Sequence, residues 1–162
     1  MTNEKNVKIV AFVGLAGSGK SSAVEYLTEK GYPKVYFGGI MYKHLKEAGI
    51  NPGDWEPEQK FREDLRKQHG KGVIAKFAAE EANDLIAAGQ HRIIFDGLYS
   101  WSEYTVLKHE FPGSMTVIAI VTPKHLRYRR MENRNERPMT RQQVDERDWA
   151  EIENLEKGGP IA

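Results

Sequence analysis

The sequence predicts an α/β fold in which a parallel sheet is covered by helices on both faces. Two observations predict it. Four runs rich in Val, Ile and Phe, at Val7–Val13, Val35–Phe37, Ile93–Phe95 and Thr116–Val121, are apolar almost without interruption. Strands buried on both faces of a parallel sheet have that pattern, whereas half-buried strands alternate. Helical stretches separate each run from the next, and such alternation describes crossover units whose helices pack back onto the sheet.

Each element follows from local signals. The first strand stops at Gly14, and a glycine-rich turn leads into a helix from about Gly19 to Lys30, stopped by Gly31. Pro33 restarts the chain toward the short second strand. A helix from about Ile40 to Ala48 ends at Gly49, and the turn residues of Asn51-Pro-Gly-Asp-Trp-Glu-Pro57 mark a loop. Glu58 to about Gln68 reads as a helix, broken near His69-Gly-Lys-Gly72, and a longer one runs from Val73 to Ala88 before Gly89. After the third strand come a helix around Ser102–His109 and a break at Pro112-Gly113. Thr122-Pro123 reads as an N-cap with Pro at the first helical position, opening a helix to about Asn133. Thr140 is the predicted cap of a last helix reaching about Lys157, before Gly158-Gly159-Pro160.

Composition excludes several function classes. The 162 residues fit one domain, and 24 Lys plus Arg against 23 Asp plus Glu leave a formal charge of +1. So balanced a chain sets up no global field for nucleic acid or an anionic membrane, and any anion site must be local. The absence of Cys removes disulfides, thiolate metal centres and cysteine nucleophiles. The polar N-terminus lacks a signal-peptide core, no run approaches membrane-spanning length, and the reading places the protein in the cytoplasm. The five histidines show no metal-ligand spacing.

The most specific signal is Gly14-Leu-Ala-Gly-Ser-Gly-Lys-Ser21, which matches G-x-x-x-x-G-K-[ST] in full. It follows an apolar strand and opens a helix, the setting the motif requires. A polyphosphate needs many donors at short range. Backbone N–H groups supply them where glycines keep side chains out of the way, and the helix start adds the positive end of its dipole. The predicted nucleotide-binding residues are Gly14, Leu15, Ala16, Gly17, Ser18, Gly19, Lys20, Ser21 and Ser22. Lys20 is expected to reach the β- and γ-phosphates, and Ser21 to ligate Mg²⁺.

Phosphoryl transfer also calls for a carboxylate at the end of a neighbouring strand. Asp96 closes Ile93-Ile-Phe95 and precedes Gly97, so it is the candidate metal ligand or proton acceptor. A late arginine cluster comprises Arg127, Arg129, Arg130, Arg134, Arg137, Arg141 and Arg147. Arg127, Arg130 and Arg134 share a face at helical spacing. The functional reading is a flap closing on the transferring phosphates, with Arg130, Arg134 and Arg137 catalytic beside Lys20 and Asp96, and Arg127 and Arg130 touching the nucleotide. The alternative is a solvated helix paired with Glu132, Glu136, Asp145 and Glu146.

On the phosphate loop, Phe95-Asp96-Gly97-Leu98, Thr122-Pro123, Asp145-Glu-Arg147-Asp148 and the Gly158-Gly-Pro-Ile-Ala162 end, the chain resembles the P-loop nucleotide kinases. Within them it looks closest to a dephospho-coenzyme A kinase-like, adenylate kinase-like group. The resemblance implies a three-layer P-loop NTPase fold with sheet order 2-3-1-4-5. It also implies a helical substrate-binding region at about 37–76 and an arginine lid at about 127–140, within one domain spanning 1–162. The family pattern continues into a fifth strand and a final helix, which this chain is expected to lack. Two stretches depart from the pattern. Gly38-Gly39-Ile40-Met41-Tyr42 replaces Gly-Asp-x-x-Arg, and Asp96-Gly97-Leu98-Tyr99 replaces Asp-Gly-x-Arg. Lys43, Arg62, Arg66 and Lys71 are candidate substitutes. Tyr36, Phe37, Tyr42, Trp55, Tyr99, Trp101 and Tyr104 either stack on an acceptor base or pack the helical region.

The expected function is transfer of the γ-phosphoryl of ATP, with Mg²⁺, to a small phosphate-bearing acceptor such as a nucleoside monophosphate. Dephospho-coenzyme A is the competing acceptor, and a nucleotide-binding NTPase without a small acceptor is the reading from another class. Nucleic acid and membrane are not expected partners, and the protein is read as a monomer or homodimer.

Overall fold

Backbone hydrogen bonds join the four apolar runs into one parallel sheet in the computed structural model, which describes residues 6–52, 54–135 and 138–153. The strands are β1 (Lys8–Val13), β2 (Lys34–Tyr36), β3 (Arg92–Asp96) and β4 (Met115–Ala119), in the order β2-β3-β1-β4. Ile9 pairs with Ile93 and with Met115, and Val35 pairs with Phe95. The order reproduces the first four strands of the expected sheet. A fifth strand is not found among the described residues, so the observed sheet has four strands rather than five.

The helices are α1 (Lys20–Glu29), α2 (Phe37–Glu47), α3 (Trp55–His69), α4 (Val73–Ala87), α5 (Trp101–Glu110), α6 (Lys124–Glu132) and α7 (Arg141–Ile152). Strand pleating sorts the core into two faces. Ile9, Ala11, Val13, Ile93 and Phe95 point toward α2, α4 and α5, where Leu45, Ala75, Ala78, Ala82 and Leu107 bury against them. The Phe95 ring meets Phe37 edge-on, with centroids 5.7 Å apart. Phe12 and Ile94 point the other way, onto Val24 of α1. A third cluster, Ala16, Met131 and Val144, joins α6 and α7 to the turn after β1.

Three expectations change. The second strand ends at Tyr36, and Phe37 opens α2 directly. Gly38 and Gly39, ahead of the helix start expected at about Ile40, lie in the first turn of α2 under the Tyr36 ring. A Cβ on Gly38 would stand 2.5 Å from its hydroxyl oxygen, so the glycines serve contact rather than chain reversal. Pro123 takes the N-cap place of α6 with ψ 140°, one position later than expected, and the Thr122 hydroxyl turns away to the Ser18 carbonyl. β4 is an edge strand whose Met115 and Val117 are half-buried against the main core while Thr116 and Ile118 on its other face are exposed. Ile118 is 43% exposed beside an apolar groove of about 300 Å³ lined by Val10, Leu27, Tyr32 and Ile94. The Thr140 cap forms as read, with a reciprocal Gln143 bond, while the expected end at Lys157 and Gly158–Ala162 lie outside the described residues.

The tightest helix contact makes a stability test. A Cβ on Gly72, just before α4, would stand 2.7 Å from Val106 Cγ2 and 3.0 Å from the Ser102 carbonyl oxygen of α5. Gly72→Ala is therefore expected to lower stability by about 1–3 kcal/mol through overpacking, read as a lower denaturant midpoint at unchanged slope.

Candidate active site

The turn Gly14–Gly19 leaves the carboxyl end of β1, the edge where open parallel sheets bind ligands. Its backbone requires glycine at Gly14, where φ is +143° and a Cβ would stand 2.5 Å from the Ile120 carbonyl oxygen. Gly17, at φ +75°, lets Met131 and the Arg127 carbonyl of α6 approach within about 3 Å of where a Cβ would be. Gly19 is the N-cap of α1 and no side chain caps the helix. The first-turn N–H groups therefore keep free donors at the turn's mouth, where the helix dipole favours an anion.

Lys20 turns its ammonium back over the loop and donates to the carbonyl oxygens of Gly14 and of Leu15, the latter at 3.0 Å. Its Nζ lies 5.9 Å from the centre of the Tyr99 ring. Burial pulls its pKa below the ordinary lysine value; Glu151 opposes, Arg147 adds to the depression and Asp96 opposes. Ser21 and Ser22 stand on the first turn of α1, and both are exposed. The Ser18 hydroxyl is buried without a hydrogen-bond partner in the structure.

Asp96 ends β3 in register with Phe12 of β1, which places it beside the loop. Its carboxylate is 3.8 Å from Lys34 Nζ. Burial raises its pKa, with Lys34 and then Lys20 holding it back. One edge thus brings together Lys20, Asp96 and the open start of α1.

The arginines divide. Arg130 donates to the carbonyls of Gly17 (3.1 Å) and Ser18 (3.2 Å) from an exposed position at the loop's rim, where it can exchange those partners for a phosphate. Arg127 does not fit the predicted nucleotide contact. It is 5% exposed, grips Asp148 through two bonds of 2.9 and 2.6 Å, and donates to the Ala16 carbonyl at 3.1 Å. Its donors face the back of the loop, away from any ligand at the front. Arg134 lies two residues past the end of α6, exposed, so the helical face predicted for Arg127, Arg130 and Arg134 does not extend to it. Arg137 lies outside the described residues. Several acidic partners of the solvated-helix alternative are engaged, with Arg141 on Glu132 at 3.1 Å and Lys124 on Asp145 at 2.7 Å.

Sequence reasoning misses Glu151 and Lys34, and holds Arg147 only as one member of the late arginine cluster. Arg147 and Glu151 pair at 2.8 Å on α7, and their charges act on Lys20 in opposite senses. Their i, i+4 spacing is a readable signal, but nothing in it tells a surface pair from a site pair. Lys34 is hidden because its pairing with Asp96 depends on strand order. Among the aromatics, Phe37, Tyr42 and Tyr104 join or pack on the main core, and the side chain of Trp55 lies outside the described part. Tyr36 and Tyr99, 44% and 49% exposed, flank Asp96, with Trp101 further along at 54%. Of the substitute cations, Arg62 is held by Glu58 at 3.0 Å and Arg66 lies partly buried beside Glu103.

The predicted strand–turn–helix setting of the G-x-x-x-x-G-K-[ST] motif is present, with Gly14–Gly19 between β1 and α1. A family model described as an AAA domain matches residues 10–154. The UPF0200 protein TK1334 of Thermococcus kodakarensis is 31% identical over 157 residues, covering 95% of this chain and 83% of the relative. The chain belongs to the AAA-domain and UPF0200 families. For this UPF0200 chain the solved structures supply the fold. TT1252 from Thermus thermophilus superposes with a TM-score of 0.63 at 16% identity, covering 94% of this chain and 86% of that one. A gluconokinase from Sinorhizobium meliloti superposes with a TM-score of 0.52 at 20% identity, covering 94% and 75%. The UPF0200 chain therefore shares the α/β fold of these two structures, a broader assignment than the dephospho-coenzyme A kinase-like group. No helix among its described residues is long and apolar enough to cross a membrane.

Proposed function

We propose that the protein is an ATP- and Mg²⁺-dependent phosphotransferase passing the γ-phosphoryl group to a small phosphate-bearing acceptor such as a nucleoside monophosphate. The observation that carries this reading is the shared edge of the sheet, where uncapped amides of α1, the Lys20 ammonium and the Asp96 carboxylate converge. Mg²⁺ fits the donor set. Ser21 and Asp96 offer two hard oxygens, as suits an ion that keeps waters and phosphate oxygens as its other ligands. When bound, it supplies neutralisation of charge on the phosphate oxygens.

The chain's own residues do the rest. The loop amides and Lys20 hold and orient the triphosphate, and arrival of its oxygens draws the ammonium away from the Gly14 and Leu15 carbonyls. Arg130 stands at the rim to neutralise charge as it develops, Arg147 on α7 adds positive charge that Lys20 senses, and Arg134 and Arg137 are the flap residues of this reading. Asp96 accepts the proton of an attacking hydroxyl, or orients an attacking phosphate oxygen. Tyr36 and Tyr99 offer exposed ring faces beside Asp96, on which the ring of an acceptor stacks, and Lys34 supplies a cation there.

A second reading, a nucleotide-binding NTPase without a small acceptor, draws on one observation. Tyr42 packs against the core and Tyr99 is uncharged, so neither position contributes a cation to an acceptor phosphate. One experiment separates the two. Incubation with ATP, Mg²⁺ and, in turn, AMP, CMP, UMP and dephospho-coenzyme A is expected to give ADP release that depends on an acceptor. Release indifferent to all four overturns the kinase and supports the NTPase.

A further inference from the structure

The back of the phosphate loop is sewn to α6 through three consecutive carbonyls. Ala16 is held by Arg127, Gly17 by Arg130, and Ser18 by Arg130 and the Thr122 hydroxyl at 2.8 Å. A trans peptide is planar, with its C=O and the following N–H pointing in opposite directions. Fixing the Ala16 oxygen toward α6 therefore aims the Gly17 N–H at the opposite side, where phosphates bind, and fixing Ser18 does the same for Gly19. Of these ties, Arg130 is exposed and free to exchange partners. Arg127 is not, because Asp148 engages it through two parallel bonds and both side chains are buried, at 5% and 6% exposure. Asp148 stands on α7 between Arg147 and Glu151, which pair with each other at 2.8 Å. Hydrophobic packing of Ala16, Met131 and Val144 closes the same junction.

We infer that Arg127 and Asp148 are the positioning pair of this site, holding the Ala16 carbonyl outward so that the loop amides face the phosphates and fixing α7 against the back of the loop. Neither residue touches the ligand; both act through the loop and the helix they fix. The inference rests on the phosphotransferase reading only in assigning triphosphate to the loop. A purely structural pair would leave phosphate affinity intact wherever the fold survives.

Charge-free replacement makes that distinction. A buried ion pair exchanged for packed apolar side chains usually keeps or raises stability, whereas removing one partner strands a charge and unfolds. Arg127→Met with Asp148→Leu is therefore expected to melt near the parent while losing the donor to Ala16. Titration calorimetry with MgATP and with inorganic tripolyphosphate is expected to show about tenfold weaker binding of both, the loss of roughly one charged hydrogen bond at the phosphates. Hydrogen exchange at the Gly17 and Gly19 amides is expected to change in step. Arg127→Lys, which keeps the charge but lacks the planar fork, covers the case in which the double variant does not fold, and it is expected to lose affinity in the same way. A folded variant of either kind that binds both ligands like the parent overturns the inference and leaves the phosphotransferase reading standing. A parent that binds neither overturns the reading itself.

Discussion

Lys20→Ala is expected to abolish phosphoryl transfer and leave the fold unchanged. The side chain contributes nothing to the three buried clusters. Among the described residues its ammonium bonds two carbonyls of its own loop, and burial already depresses its pKa, so the folded protein bears a desolvation cost in keeping the group charged. The sign follows from that direction. A lysine whose folded pKa lies below its unfolded one subtracts stability at neutral pH, and its truncation removes that penalty along with two hydrogen bonds. The melting temperature is therefore expected to stay within a few degrees of the parent. Catalysis has no such compensation. The ammonium belongs to the loop motif itself and lies where charge develops, and loss of a preorganised donor of this kind costs about 10²–10³-fold or more in turnover. Acceptor-dependent ADP release and a thermal melt, run on the same preparation, check both halves. Turnover near the parent's would remove Lys20 from the mechanism.

The contrast between Lys20 and Arg127 shows what the sequence discloses. Lys20 belongs to a contiguous motif whose strand–turn–helix setting is itself local, so its place is legible in the amino-acid order alone. So is that of Asp96, because a carboxylate that closes a buried strand of a parallel sheet has one edge to occupy. The order β2-β3-β1-β4 is accessible only through the family resemblance. Arg127 carries the same residue type and helical spacing as Arg130, yet one is buried and the other is at the rim. What separates them is Asp148, 21 residues away on another helix, and no periodicity connects positions across a loop. The early start of α2 is hidden for a related reason. Gly38 and Gly39 are turn residues by propensity, and only the Tyr36 ring lying on them makes a helix their better setting. β4 departs from its expected burial because an apolar run reports what could be buried, whereas burial on the second face depends on a neighbour that the described residues do not provide.

Asp96→Asn is expected to lower turnover by about 10²–10⁴-fold, the usual worth of a positioned acid–base group, while changing ATP affinity far less. The substitution keeps the shape and one oxygen but removes the charge that would hold the metal or take the proton, and the triphosphate is held mainly by the loop. Stability moves the other way. Burial raises the Asp96 pKa above the ordinary value of 3.8, against the pull of Lys34 and Lys20. Below 3.8 both folded and unfolded chains hold the proton and the group contributes nothing. As pH rises through the folded pKa, the native state must give up a proton it binds more tightly, so stability falls and the penalty is complete above that range. Asparagine carries no such penalty. At 3.8 Å and partly exposed, the Lys34 pair that it forfeits is a weak one. The variant is thus expected to melt at or above the parent at about pH 7, with the difference vanishing at about pH 3. Paired melts at the two pH values and single-turnover rates on the same variant test the prediction. An unchanged rate would reduce Asp96 to a strand-end residue, whereas a slow enzyme that is no less stable marks a carboxylate retained for chemistry at the expense of stability.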